Sequence, residues 1–496
     1  MQLQFVAGRR RRRWPPLTVT AAVAAVLGLV ALAAPGLVAP AHESAAAGTT
    51  VTVPHHTVTP IPSPPPPAPP PPPPVAAVHE APVPAGRAAL VATLDGLLAA
   101  PGVQGTLTVA VVDEHGRALV ERGPDVAVLP ASTQKLVTAA AALETLGPDH
   151  RFRTALHATA VPVQGVLTGD LVLVGSGDPA LASPLYGQMI YPARPRTPLE
   201  RLADAVVALG ITHVEGAVVG DPRAYATSPA AEGWFPRYFH DLDARYVSSL
   251  TAEAGLTISY DEPTDDLEVE LSHDPVLTAA SVLRDLLDER GVTVAAEPRV
   301  VGPIAPSTIV LAEVDSPPLA ELLRHTVRRS DNHMADTLLH AVALHTVGEA
   351  GWAAGDRAVR EALSHLDLDW TGVVLADGSG LSRSNRSTAG FLTQLEAAMY
   401  TSSNAATWGT LMAVAGHEGT LRNRLVGTPA DGRFTGKTGT LDDVRSIAGT
   451  VHGPEGAAYH LTVVGNDLID PASRTNIRAL MDNLALALAT DLYRVS

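Results

Sequence analysis

The chain has 496 residues, 46% of them hydrophobic, which is enough apolar material for about three folding units and too much for a disordered chain. It carries 35 basic against 51 acidic residues, a net charge of −16, and five of the positive charges are the single run Arg9 to Arg13; a body that acidic excludes a nucleic-acid binder, which needs a basic face for phosphate. Cysteine is absent, which removes disulfide scaffolds, thiolate metal sites, iron–sulfur clusters and cysteine nucleophiles together.

Residues 1–41 read as an export signal. Arg9 to Arg13 form a positive n-region, and Leu17 to Ala34 follows as 18 residues without a charge. Secretory h-regions run about 7–15 residues and membrane-spanning helices about 17–25. The segment is therefore either a signal-anchor helix or a signal peptide cleaved near Ala39-Pro40-Ala41. The positive-inside rule puts the arginines in the cytoplasm and everything after residue 40 outside. Residues 42–86 read as an extracytoplasmic stalk, with 15 prolines in the 31 residues from Pro54 to Pro84. Proline has a fixed φ and no amide donor, so such a run adopts extended polyproline II. At about 3.1 Å per residue it reaches on the order of 100 Å. A ligand for proline-recognition domains is the other use of such a run. His55 and His56, inside it, read as solvated.

The globular pattern begins near residue 87. Ala88 to Ala100 has helical apolar spacing, Thr106 to Val112 is a β-rich run, and Arg117 to Glu121 returns antiparallel after the turn at Glu114-His115-Gly116. A second helix begins after Pro130 and runs to about Leu146, stopped by Gly147-Pro148. From about 155 to 310 short apolar runs such as Leu171 to Val174 and Gly216 to Val219 are broken by Gly, Asp and Pro, the texture of a mostly β insertion. Leu319 to Val347 returns to long helical patterning. Val444 to Val451 and Tyr459 to Val464 are strands joined through Gly453-Pro454-Glu455-Gly456, and Thr475 to Tyr493 is an amphipathic closing helix.

Three short motifs carry chemistry. Ser132-Thr133-Gln134-Lys135 is S-x-x-K at the start of a helix. A spacing of three puts hydroxyl and amine on one helical face. A serine becomes a nucleophile when a base takes its proton, and a lysine is that base only if burial or another cation lowers its pKa. The helix start also leaves the Ser132 amide free for a developing oxyanion. Alone, the motif also fits an N-cap serine beside a surface lysine. Ser330-Asp331-Asn332 follows the helix from Leu319: the hydroxyl can relay a proton and the Asn amide can hold a carbonyl, though a polar helix end has the same composition. Lys437-Thr438-Gly439-Thr440 falls in a predicted strand, where a glycine marks close approach by a backbone or ligand and Lys and Thr on an edge can grip a carboxylate. Of 35 basic residues only Lys135 and Lys437 are lysine, and both fill a motif; random placement gives that on the order of once in a thousand chains.

S-x-x-K, S-D-N and K-T-G in this order are the signature of penicillin-binding proteins and serine β-lactamases. The chain resembles the D-Ala-D-Ala carboxypeptidase/endopeptidases, the low-molecular-mass class C penicillin-binding proteins, over roughly residues 87 to 496. Further stretches similar to that family are Gly175-Ser176-Gly177-Asp178-Pro179, Asp377-Gly378-Ser379-Gly380-Leu381-Ser382-Arg383 and Gly416-His417-Glu418-Gly419-Thr420-Leu421. The long gap between the first two motifs fits this family better than the β-lactamases. The resemblance implies a multi-domain α/β chain of the penicillin-recognising serine transpeptidase/β-lactamase-like fold: a five-stranded antiparallel sheet flanked by helices, an all-helical subdomain, and the mostly β insertion. The catalytic domain would comprise 87–155 and 312–496, with accessory domains in 156–311.

By the same resemblance Ser132 attacks the D-Ala-D-Ala carbonyl, Lys135 takes its proton, and Ser330 and Lys437 return one to the leaving amine. Asn332 orients the acyl-side amide. Thr438, Gly439 and Thr440 form the substrate-binding strand, the two threonines on the terminal carboxylate, and the Ser132 and Thr440 amides make the oxyanion hole. Asp221 and Arg383 would line a pocket for a diaminopimelate side chain. No metal or organic cofactor is required. The partners implied are peptidoglycan stem peptides, β-lactams as acylating inhibitors, and the cytoplasmic membrane through the amino-terminal helix. Two other functions share these motifs: a serine β-lactamase, and a non-catalytic wall-binding protein on a stalk.

Overall fold

A computed structural model describes residues 87–99, 102–261, 263–300 and 308–494. The expected signal segment and proline stalk lie outside these residues. Among the described residues no helix is long and apolar enough to cross a membrane.

The main sheet is antiparallel throughout and is built from two stretches far apart in the chain. Its order is Ala413–Val414, Phe434–Leu441, Val444–His452, Ala458–Asn466, Thr106–Asp113, Ala118–Arg122. The register runs from Thr106 opposite Asn466 to Asp113 opposite Tyr459. Six strands are present rather than the expected five. The extra one is two residues long and covers only Thr435 and Gly436, so Lys437 to Leu441 still lie on a free edge.

Helices Ala88–Ala99 and Pro471–Arg494 close one face of this sheet. The second buries Ile477, Leu480, Met481, Leu484, Ala485, Leu488 and Ala489. That is the i, i+3, i+4, i+7 stripe of an amphipathic helix, as its sequence predicts. Helix Ala389–Thr401 packs on strands of the same sheet and joins the helical half of the molecule.

At the centre of that half is helix Gln134–Leu146, whose residues from Gln134 to Leu143 are all buried. A helix sealed on every side needs small residues where neighbours cross, and Thr138-Ala139-Ala140-Ala141-Ala142 supplies them. Helices Leu319–Arg329, Asn332–Val347 and Trp352–Ala362 surround it. The long pattern from Leu319 to Val347 is therefore two helices, broken at Ser330-Asp331.

The insertion has a core of its own. Five strands, in the order Arg299–Val300, Val218–Asp221, Leu171–Val174, Arg153–Ala158, Ile309–Asp315, form a mixed sheet. Helices Glu200–Ala208 and Pro275–Glu289 complete it, so its hydrophobic core is half helical rather than mostly β. Its sheet begins at Arg153 and ends at Asp315, a few residues outside the expected 156–311.

Leu484 is fully buried between the closing helix and the sheet. Leu484→Ala should cost about 2–5 kcal/mol of unfolding free energy, read as a lower urea midpoint with an unchanged slope. A loss below about 1 kcal/mol would mean that the helix does not carry this face of the core.

Candidate active site

The first motif sits where the sheet meets the helical half. Pro130 leads into a short 3-10 turn, Ala131–Thr133, which runs straight into the Gln134–Leu146 helix. Two hydroxyls hold the turn, since Thr133 Oγ1 and Ser446 Oγ donate to the Pro130 carbonyl at 2.7 and 2.6 Å. Ala131 has φ of 49°, a region that side-chain-bearing residues seldom occupy. Strain of this kind persists only where the surroundings over-determine it, and two glycines crowd this turn. A Cβ on Gly439 would lie 2.9 Å from the Ser132 amide nitrogen, and one on Gly380 would lie 1.9 Å from the Ala131 carbonyl oxygen. The glycine of K-T-G is thus a requirement of close approach to the serine.

Lys135 follows one turn on and is fully buried. Its Nζ lies 3.1 Å from Ser132 Oγ, 2.7 Å from Asn332 Oδ1 and 2.6 Å from the Ser379 carbonyl oxygen. The Asn332 amide is oriented by its Nδ2 donating to the Asp243 carbonyl at 3.0 Å. Two of the three neighbours can therefore only accept. A neutral amine has two hydrogens and one lone pair, so its hydrogens go to these acceptors and the lone pair faces the serine, at the longest of the three contacts. Burial lowers the Lys135 pKa to about 8, against the opposing pull of Asp336 and Asp377. Burial, reinforced by Asp377, pushes Asp336 well above the usual carboxylate range.

The opposite wall comes from the other two motifs. Ser330 ends helix Leu319–Arg329 in the left-handed conformation, φ 62°, and Asp331 caps the next helix through Met334 N at 2.9 Å. This reversal turns the Ser330 hydroxyl toward the sheet, where Lys437 Nζ lies 3.0 Å away. Lys437 also donates to the Thr438 carbonyl at 2.7 Å. It is fully buried, and burial followed by repulsion from Lys135 holds its pKa well below the lysine range. Thr438 Oγ1 donates to Thr420 Oγ1 at 2.8 Å, and Thr440 is exposed further along the same edge.

Ser132, Lys135, Ser330, Asn332, Lys437, Thr438 and Gly439 thus converge. Asp221 and Arg383 do not join this network. Asp221 is buried at the end of a strand of the insertion, paired with Arg223 at 2.6 Å. Arg383 is engaged by both carboxylate oxygens of Asp443, at 2.6 and 2.9 Å. Sequence reasoning also missed two supports. The Asp377 carboxylate, fully buried, accepts from Trp234 Nε1 and from the amides of Gly380 and Ser382, all at 2.7 Å, and from Asn385 Nδ2 at 2.8 Å. It thereby fixes the loop whose Ser379 carbonyl holds Lys135. Arg194, from the insertion, is buried and donates through Nε to Asp331 Oδ2 at 2.9 Å, with its other nitrogens on Tyr186 and the Pro179 carbonyl. Burial works to raise the Asp331 pKa, but Arg194 and His325 outweigh it and hold the carboxyl well below its usual range.

A serine next to an amine that can accept its proton defines an acylating serine hydrolase. The chain belongs to the D-Ala-D-Ala carboxypeptidase 3 (S13) family, whose model matches residues 90–266 and 264–488. It is 33% identical over 456 residues to a D-alanyl-D-alanine carboxypeptidase of Actinomadura sp. (strain R39), covering 80% of this chain and 84% of that one. It is 33% identical over 481 residues to carboxypeptidase DacB of Mycolicibacterium smegmatis, covering 95% and 97%. The crystal structure of penicillin binding protein 4 from Haemophilus influenzae superposes with a TM-score of 0.65 at 22% identity, over 81% of this chain and 99% of that one, and shares the fold.

Two predictions follow from this geometry. Below about pH 8 the Lys135 amine is protonated and cannot accept the serine proton. The second-order rate of acylation by a penicillin should therefore rise about tenfold per pH unit below 8 and level above it. Lys135→Arg, which stays charged, should lower that rate at least about 10³-fold. A flat profile from pH 6 to 9, or near wild-type acylation by the arginine variant, removes Lys135 as the base. The second prediction concerns Arg194. Its loss leaves the largely buried Asp331 carboxylate with His325 alone, at 3.5 Å, so Arg194→Met should cost up to about 3–5 kcal/mol of stability. Adding Asp331→Asn should restore most of the stability but not the acylation rate; recovery of both together would make Arg194 purely structural.

Proposed function

We propose that this site performs acyl transfer from D-Ala-D-Ala stem peptides through an ester on Ser132. The chain is a serine D-alanyl-D-alanine carboxypeptidase/endopeptidase acting on peptidoglycan, outside the cytoplasm. The single observation that carries the residue assignment is the Lys135 amine, buried, lowered in pKa, and aimed at Ser132 Oγ with its other two neighbours accept-only.

Each residue then has a task. Ser132 Oγ bonds to the carbonyl carbon as its proton passes to Lys135 Nζ. The oxyanion that forms lies between the Ser132 and Thr440 amides, a placement supported by the close approach of Gly439 to Ser132 N. Preorganised donors of this kind are worth about 10²–10³ in rate. As the C–N bond breaks, the leaving nitrogen takes a proton through Ser330, held by Lys437. Asn332 positions both Lys135 and the acyl-side amide. Thr438 and Thr440 grip the terminal carboxylate from the free strand edge. Water then attacks the ester, and the Ser132 proton returns. A β-lactam acylates the same serine and, with no amine to leave, holds the site as a slow ester. The insertion, near 156–311, serves as an accessory domain whose Arg194 steadies the S-D-N turn, with the catalytic domain made of 87–155 and 312–496. The amino-terminal arginines and apolar segment hold the chain at the cytoplasmic membrane, with the proline run as its stalk. Arg383 reaches a diamino-acid side chain by exchanging Asp443 for the substrate carboxylate, and Asp221 by exchanging Arg223 for the substrate ammonium.

A penicillin should leave one adduct, on the peptide containing Ser132, and purified peptidoglycan should lose terminal D-Ala or cross-links, with products resolved by mass. Ser132→Ala should abolish both while the circular dichroism spectrum persists. An adduct on Ser330 overturns the assignment, rapid turnover of penicillin favours a β-lactamase, and absence of any adduct favours a wall-binding protein.

A further inference from the structure

Next to the Thr438 end of the site is a recess of about 220 Å³ lined by Arg328, Arg329, His417, Glu418, Gly419 and Arg422. Its position is set by chain neighbours of the site. Arg329 immediately precedes Ser330, and Gly419 precedes Thr420, which accepts from Thr438. A Cβ on Gly419 would lie 3.0 Å from the Arg328 carbonyl oxygen, so the two walls meet with no side chain between them.

The recess is positive in a chain whose net charge is −16. Glu418 pairs with Arg328, which also donates to the Thr410 carbonyl at 2.7 Å, yet the buried Nε of Arg328 has no hydrogen-bond partner. His417 faces Asp431 at 3.2 Å. Arg329 and Arg422 are exposed and have no carboxylate partner among the described residues. Three guanidinium groups thus meet one carboxylate. A guanidinium fork fits a carboxylate with two parallel hydrogen bonds, so the recess suits an anion.

Which anion follows from the direction of the site. With Thr438 and Thr440 on the carboxylate adjoining the scissile amide, the recess lies on the leaving-group side. A departing D-Ala has one carboxylate, which the threonines take, and nothing of it extends further. In a cross-link the departing amine belongs to a diamino acid with a peptide behind it, and that strand carries further carboxylates. We propose that the recess is a subsite for a carboxylate of the leaving strand of cross-linked stem peptides, engaged when a cross-link is cut and left empty when terminal D-Ala is released. The inference rests on the reading of Ser132 and Thr438 given above. The chemistry is unchanged: the Ser132 ester forms as the cross-link C–N bond breaks, the leaving strand's nitrogen takes the proton, and water later cleaves the ester.

The test uses the full-length protein in detergent with Arg329→Gln and Arg422→Gln, singly and together. Four reactants are compared: a purified cross-linked muropeptide dimer, the same dimer with its leaving-strand carboxylates amidated except the one adjoining the scissile amide, a blocked tripeptide ending in D-Ala-D-Ala, and a penicillin. The double variant should lose about 10–100-fold in kcat/KM on the dimer, mostly through KM, in line with two charge-assisted bonds. Wild-type protein should cleave the amidated dimer with a similar loss. Tripeptide hydrolysis, penicillin acylation and melting temperature should not change. Equal wild-type rates on the two dimers, or equal losses on dimer and tripeptide, overturn the proposal. So does a result in which the variants alter binding of a phosphate-bearing wall polymer but not dimer cleavage, which would make the recess a polyphosphate site. Failure of wild-type protein to acylate with penicillin or hydrolyse the tripeptide instead defeats the underlying reading of Ser132.

Discussion

Two lysine amines are buried side by side, and the arrangement of the chain around them answers the cost of putting them there. Desolvation disfavours the charged form of each, and their mutual repulsion adds to it at Lys437. For Lys135 the fall from 10.5 to about 8 amounts to about 3 kcal/mol of destabilisation at neutral pH. Because the folded-state value is the lower one, this cost is full below about pH 8 and fades as pH rises toward 10.5. The pocket survives because the helical core around Gln134–Leu146 and the two faces of the sheet bury far more apolar surface than the amines forfeit. An amine poised to lose its proton is what the chemistry requires, so the destabilisation and the reactivity have the same origin.

Support for that pocket comes from three directions. The sheet presents Lys437 and the Gly439 gap, the Asp377 loop presents the Ser379 carbonyl, and the insertion presents Arg194. The last is the least expected. Arg194 links the strand-rich insertion to the turn between two helices, so a segment with its own core steadies a catalytic loop. The Gly175 to Pro179 stretch belongs to this same join. The Pro179 carbonyl accepts from Arg194, and Asp178, pushed up to about 6 by burial, accepts from the Ala180 amide at 2.8 Å. A Cβ at Gly175 would collide with the Ser249 carbonyl, at 2.2 Å.

Local spacing made much of this legible in advance. S-x-x-K declares its geometry because three residues is one helical turn. The closing helix declares its buried face by period, and K-T-G declares a strand with a gap. What stayed hidden depends on contacts across the chain. Arg194 and Asp331 are 137 positions apart, and no property of either residue alone points to the other. Asp377 stands out in the sequence only as the start of a stretch similar to the family, with no role attached, and only the fold brings Trp234 to it. Asp221 and Arg383 were read as available charges, yet each is occupied, one by Arg223 two positions on and the other by Asp443 sixty positions on. The sixth strand is too short for any period to register, and the polar run Arg328 to His333 marks where the long pattern from Leu319 breaks without showing that the Ser330 hydroxyl turns to Lys437.

The main sheet pairs Thr106 with Asn466 and Val109 with Val463, and this sets the order in which the protein matures. Strand Thr106–Asp113 emerges from the ribosome early, but its partner Ala458–Asn466 is among the last segments made. At roughly 5–20 residues per second, the interval is on the order of tens of seconds. During it Ser132 and Lys135 exist as a helix start with no opposite wall, since Lys437 has not been synthesised. Pairing across so long a separation is also slow to nucleate. The chain is therefore chemically silent until its carboxy-terminal third is in place, and an interrupted or truncated product has no acylating site with which to act on the wall.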